Sequence, residues 1–429
     1  MIPNTTVVIR AVPPIGVRQR GHEWRMYPAR IRKERPQITR IDPSPVSAHG
    51  PPSGALRSFG RSSQVTRAAF EKVRDYLDLP RVGEPPGRNI SVDALRGLAI
   101  LLVVLGHSIS NAVNLYQATT YNLQYYVSNF VYTFHMPLFF LVSGYVLFSK
   151  RIRIGDRAIR LLLPFFAWIP IYWMVNRYIH HYPWPVKFLT TFKDTVLQPG
   201  AGLWFLPTLF LCSLLLIPAR YIEKRSRWAV GLYLASVFIA VNLLPVNDLG
   251  IMQVKYFFAF FAAGYLLAKY RSRLNLIPEK KANIALLAVS ATFLLLFTLL
   301  YYYGRIQPFT FPFSIYDLFK TPGAYVIRYF MAGLGIIFSV AFVRSLKTSH
   351  LRNAFAWLGL VTMEIYVAHG LMLQITFGHG WLEVFVSVFT GIFLSLAIAF
   401  LLLRRWWVSA EIFYGIKPVV EEKSAQARG

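Results

Sequence analysis

The stretch Asp93-Ala-Leu-Arg96-Gly-Leu-Ala-Ile-Leu-Leu-Val-Val-Leu-Gly-His107 carries both the fold and the chemistry. It belongs to an apolar run long enough to cross a bilayer, yet it holds an arginine near one end and a histidine deep inside. Eleven steps of about 100° return to within roughly 20° of the starting direction, so a helix puts Arg96 and His107 on one face. Their separation along the axis is about 16 Å. An ionisable side chain inside a lipid-spanning helix is expensive and marks function by default. Two on one face describe a groove from the cytosolic surface into the membrane interior.

The same apolar character extends outward through the chain. Of 429 residues, 55% are hydrophobic and only 15% are charged, and the apolar residues fall in runs near bilayer length. The predicted fold class is all-α, a polytopic membrane bundle of about ten transmembrane helices. The predicted spans are 92–113, 126–148, 159–179, 203–222, 228–245, 254–269, 283–303, 322–343, 355–377 and 382–403. The loops between them alternate. Lys150, Arg151, Arg153 and Arg157 follow the second span, Arg220, Lys224 and Arg225 the fourth, Lys269 and Arg271 the sixth, Arg344 and Arg352 the eighth, and Arg404-Arg405 the tenth. The intervening loops are poor in basic residues. This alternation places both termini in the cytoplasm, with the chain predicted in a bacterial inner membrane. The outer loop 180–202 is expected to form a surface helix or a re-entrant segment.

Net charge is +27, with 46 Lys+Arg against 19 Asp+Glu. Nucleic acid is excluded as a partner because most basic residues lie between apolar spans; anionic membrane lipid is the expected one. Residues 1–88 form a basic, Pro/Gly-rich cytoplasmic segment with the composition of a disordered tail, and Arg67 to Leu79 has the pattern of a short amphipathic helix. The membrane domain spans 89–405, and 406–429 is a short cytoplasmic tail. A single cysteine, Cys212, rules out an intramolecular disulfide and a thioester relay through paired thiols.

Three histidines from three spans, His107, His135 and His369, share a predicted depth. Histidine is the side chain best suited to exchange protons near neutral pH. No metal is expected, since neither HxH nor HExxH spacing occurs at these positions. Arg96 has Asp93 three residues earlier as a partner, and its planar guanidinium suits phosphate. Arg157 and Arg160 stand at the same mouth. Glu364 and Arg328 lie within spans, where a Glu–Arg pair would lower the burial penalty. Trp204 reads as an interfacial anchor or a sugar-binding ring. Gly335 and Gly264 read as close-packing positions.

Together these residues resemble family 3 of the membrane acyltransferases. Arg96 and His107 in an Asp-x-Leu-Arg-Gly-Leu-Ala setting match that family's hallmark. Phe134-His-Met-Pro-Leu-Phe-Phe-Leu-Val-Ser-Gly144-Tyr, Arg157-x-x-Arg160-Leu-Leu-Leu-Pro, Leu203-Trp-Phe-Leu and Gly359-x-x-Thr362-x-x-Ile-Tyr-x-x-His369 resemble its later blocks. The resemblance covers about residues 90–400 and implies transfer of an acyl group, commonly acetyl, from acetyl-CoA or another acyl-CoA. The implied acceptor is a hydroxyl of a carbohydrate or lipid-linked glycan. On this reading His107 and Arg96 are catalytic, and Arg96, Arg157 and Arg160 hold the donor. His135, Trp204, Arg328, Glu364 and His369 line the acceptor side. The competing class is a transporter or flippase, which also uses intramembrane charges.

Overall fold

The computed structural model describes residues 71–83, 88–112, 123–179, 188–199, 203–274, 278–302, 322–346, 348–375 and 380–416. The expectations for residues 1–70, for most of the predicted outer loops and for the end of the tail lie outside these residues. Among the described residues the regular structure is helical, with no strand. A short helix at 71–76 precedes α1 (Ile90–Ala112), α2 (Leu123–Phe148), α3 (Ile154–Ile179), α4 (Phe188–Leu197), α5 (Phe205–Leu215), α6 (Ile217–Arg225) and α7 (Arg227–Leu243). Then follow α8 (Ile251–Lys269), α9 (Glu279–Tyr302), α10 (Pro322–Ser345), α11 (Ser349–Leu360), α12 (Thr362–Met372), α13 (Trp381–Ala397) and α14 (Trp407–Tyr414).

Among the described residues eight helical stretches are long and apolar enough to cross a membrane, with α5 and α6 counted as one and α13 extended to Arg405. The chain is thus a multi-pass membrane protein. The other two predicted spans take different forms. α7 has 17 residues and is shorter than the rest. Residues 355–377, predicted as one straight span, instead break at Val361 into α11 and α12, which are bent by 77°. The Thr362 hydroxyl donates to Gly359 O at 2.8 Å, which satisfies a carbonyl released by the break.

Two close helix contacts hold the bundle. A Cβ on Gly97 would fall on the Phe355 carbonyl, and one on Gly359 would fall on the Asp93 carbonyl, so α1 and α11 meet backbone to backbone. Gly144 and Gly264 make the same reciprocal contact between α2 and α8, through the carbonyls of Phe261 and Leu141. Without a hydrophobic driving force between helices in lipid, such approach gains its stability from van der Waals contact. Gly335 instead makes room for the Phe134 side chain, whereas Gly333 faces open space. Arg220 from α6 donates to the last carbonyls of α2, Leu147 and Phe148, the first of which also accepts from Lys150 N–H.

α4, in the segment expected to form a surface helix or a re-entrant segment, packs on α3. Phe188 packs on Trp173 at 5.1 Å and Phe192 on Phe166 at 6.3 Å between ring centroids. Those two partners are two turns apart on α3, about 10 Å along its axis, so α4 runs back alongside α3. The segment predicted as a plain C-terminal tail is also more than a tail. Trp168 of α3 donates from Nε1 to Phe413 O at 2.9 Å, and Tyr414 is buried. Gly415 caps α14 with φ at 63°, and a Cβ there would strike the Arg160 backbone. Left-handed φ and close approach both call for glycine.

Candidate active site

A cavity of about 560 Å³ opens where α1 begins and α2 ends, and it is lined by Arg96, Lys150, Arg157, Arg160 and Arg404 against two carboxylates, Asp156 and Glu364. Phe139, Phe205, Leu206 and Leu209 form its apolar side, and Tyr366 stands in its wall. The cations converge from four places. Arg96 sits two turns into α1, Lys150 follows α2, Arg157 and Arg160 share one face of α3 one turn apart, and Arg404 ends the α13 extension.

The ion pairs explain which charges are committed. Asp93 takes Arg88 with both carboxylate oxygens, at 2.5 and 2.9 Å. Arg96 approaches Asp93 only to 3.7 Å. The expected Asp93–Arg96 pair therefore exists, but Arg88 is the main partner, and Arg96 turns toward the cavity. Arg157 donates to Ser213 Oγ at 2.5 Å, which in turn donates to Leu209 O at 2.6 Å, so α5 fixes that guanidinium. Glu364 pairs with Arg404 at 3.0 Å and not with Arg328. Arg328, on α10, lies within electrostatic range of Tyr256 and does not line the cavity. Trp204 does not line this cavity: at the start of α5 it stacks on Phe257 at 5.2 Å, which itself stacks on Phe140 at 4.7 Å. The excess of positive charge is felt at Lys150, whose ammonium is pushed below the usual lysine range by burial and by Arg160, Arg96, Arg88 and Arg157.

Deeper along α1, His107 meets His369 with 5.4 Å between ring centroids. The Tyr132 hydroxyl lies 3.3 Å from His107 Nδ1, and the Tyr132 ring stands edge-on to His107 at 6.1 Å and to His135 at 5.0 Å. The structure thus brings the three predicted histidines into one layer, with Tyr132 between two of them. His135 Nδ1 faces Val131 O at 2.8 Å, and His369 Nδ1 faces Tyr366 O at 2.7 Å. A carbonyl only accepts, so in a neutral ring Nδ1 carries the proton and Nε2 keeps the lone pair.

Two features join the cavity to this layer. Gly97 and Gly359 touch at one level, and His107 and His369, each ten residues further on, touch at the next. α11 crosses α1 at the level of the charges, and after the bend α12 leads from there to the imidazoles beside α1. Tyr366, one turn before His369, lines the cavity while its ring lies 5.9 Å from His369. Its hydroxyl accepts from Phe205 N–H at 3.2 Å, at the start of α5. Tyr132 escaped the sequence reading and Tyr366 entered it only as part of a motif with no role of its own, although Tyr-x-x-His occurs at both 132–135 and 366–369. Arg88, Lys150, Ser213 and Arg404 escaped it too. Among the described residues no group of three or more His, Cys, Asp or Glu side chains is arranged to hold a metal ion.

Residues 89–404 match the family described as an acyltransferase domain. The chain belongs to that family. Among curated proteins it is similar to nodulation protein NolL of Mesorhizobium japonicum, 30% identical over 190 residues, covering 42% of this chain and 48% of the relative. It is also similar to nodulation protein NolL of Sinorhizobium fredii, 26% identical over 189 residues, 42% of this chain and 49% of the relative. The chain spans about half the length of the curated relatives it matches. No solved structure matches it. The resemblance drawn from the motifs holds across the membrane domain. Residues 71–83, and α14 with Gly415 and Ile416, fall outside the family match while contributing to the cavity wall.

Proposed function

We propose that the protein is a membrane O-acyltransferase that moves an acyl group, acetyl in the simplest case, from cytosolic acyl-CoA to a hydroxyl of a carbohydrate or glycolipid acceptor. The observation that carries this reading is the neighbourhood itself: a cation-rich cavity walled by Tyr366, whose ring lies 5.9 Å from His369 in the imidazole layer. Arg96, Arg157 and Arg160 supply planar forks for the donor's phosphates. The cavity's apolar side and Tyr366 suit the thioester arm. His107 takes the acceptor hydroxyl's proton as that oxygen attacks the thioester carbon. The C–S bond breaks, and the proton passes from His107 to the departing CoA thiolate. His369 and His135 orient His107 and the hydroxyl. Glu364 holds the start of α12 through Arg404. Trp204 and Arg328 do not line the cavity and are given no part in this step.

On this reading the cavity opens to the cytoplasm, both termini are cytoplasmic, and the membrane is a bacterial inner membrane with anionic lipid against the basic rim. The broken α11–α12 pair is a device that transporters also use. Purified protein given acetyl-CoA and envelope glycan separates the two. An acyltransferase releases CoA at a rate set by added acceptor and leaves an acetyl ester on the glycan, read by mass analysis. Transport of glycan across a vesicle membrane with no CoA release would remove the proposal.

A further inference from the structure

The cavity mouth carries a contact that acyl transfer does not use. The short helix at 71–76 ends in a turn in which Asp78 N–H donates to Asp75 O at 3.2 Å and Leu79 N–H to Arg74 O at 2.9 Å. This bond pair closes a helix through one left-handed residue, most often glycine. Here it is Asp78, with φ at 50°. Aspartate tolerates that region better than most side chains but still less well than glycine. The position therefore gives up some backbone ease for a carboxylate. That carboxylate meets Arg404 at 3.2 Å, while the other nitrogen of the same guanidinium holds Glu364 at 3.0 Å. Arg405 adds a second clip, donating to the Tyr76 hydroxyl at 2.8 Å with its guanidinium 4.5 Å from the ring centroid. Pro80, two residues beyond Asp78, lines the cavity.

The Asp78–Arg404 pair is lopsided. The Asp78 side chain is 92% exposed and the Arg404 side chain 14%. Asp78 can leave for water with little loss, whereas Arg404 is held inside by Glu364 and by the Phe400 ring, 4.6 Å from its guanidinium. Another anion in the cavity can therefore take the place of Asp78 on Arg404.

We propose that Asp78 is a built-in competitor for the donor site: it occupies Arg404 in the empty protein and is displaced by a phosphate of the donor, so a residue outside the family match sets how tightly the cavity takes a polyanion. The identity of that polyanion as acyl-CoA rests on the function proposed above; the competition for Arg404 does not.

The test measures binding of CoA and of inorganic pyrophosphate to the detergent-solubilised full chain by calorimetry. Asp78→Asn keeps a residue that accepts left-handed φ and removes the charge. Asp78→Gly removes the charge and eases the backbone. Both are expected to tighten anion binding by about two- to fivefold, the range open to one exposed ion pair, with the gain shrinking at high salt. In an Arg404→Gln background the same changes should have no effect; if that background does not fold, the Asn and Gly variants decide alone. Unchanged or weaker binding in both overturns the proposal, as does failure of both anions to bind wild type and variants alike. If pyrophosphate shows the gain and CoA does not bind, the donor assignment falls while the competition stands.

Discussion

In the cavity five cationic side chains face two carboxylates on a surface open to solvent. Ten to eleven residues further along α1, His107 meets a tyrosine hydroxyl and another imidazole. The two regions share helices and differ in what their surroundings permit. A polyanion must be reached from water and matched by charge, and on the proposed reading the guanidinium forks supply that match. A proton transfer needs neutral partners and little competing water, and on the proposed reading His107, set against the Tyr132 hydroxyl, works beside two buried imidazoles whose Nδ1 atoms are held by backbone carbonyls. The proposed reading therefore makes binding and chemistry separable by mutation, although one helix carries both.

The largest expected effect lies in the imidazole layer. His107→Ala should lower acyl transfer by about 10²- to 10⁴-fold, the usual contribution of a positioned general base. A CoA-release assay with saturating acceptor checks it, and turnover within a few-fold of wild type would remove His107 from the reaction. In the cavity, Arg96→Ala should weaken CoA binding by about 10- to 100-fold, as expected for loss of charge-assisted hydrogen bonds. Arg96→Lys should recover part of this, because the charge remains and the planar fork does not. If Lys restores binding fully, the guanidinium geometry has no role.

The element joining the regions is testable by stability. Gly359→Ala places a methyl on the Asp93 carbonyl and should destabilise the protein by about 1–3 kcal/mol, enough to lower the melting temperature in detergent. Gly333→Ala, with nothing nearby, should stay within about 0.5 kcal/mol of wild type. Equal melting shifts would mean that the close contact of α1 and α11 does not hold the two levels in register. The smallest effect is expected at the bridge. Tyr366→Phe keeps the ring against His369 and loses the hydroxyl that accepts from Phe205 N–H, so turnover should fall by about two- to tenfold.

Much of this was legible in the sequence, for identifiable reasons. Arg96 and His107 announce themselves because charge inside an apolar run has few explanations. The loop alternation marks ten apolar segments, and each has a helical counterpart. The bend at Val361 was hidden because hydropathy counts apolar residues and is blind to the carbonyl bond made by Thr362. Arg404 and Lys150 were hidden for the opposite reason: at the end of a span in a basic protein, a cation reads as a membrane flank. Only packing shows Arg404 turned inward onto Glu364. The Glu364–Arg328 pairing failed likewise, since two intramembrane charges of opposite sign need not come from neighbouring helices. α14 and Asp78 were read as parts of tails because their contacts are with helices distant in sequence.

The separation of binding from chemistry is tested most directly by CoA binding isotherms of His107→Ala and Arg96→Ala, recorded side by side on folded, detergent-solubilised protein. The expected result is near-wild-type affinity for His107→Ala, within about twofold, and affinity at least about tenfold weaker for Arg96→Ala. Equal loss of affinity in both variants would contradict it, because the charged cavity and the imidazole layer would then be one binding site.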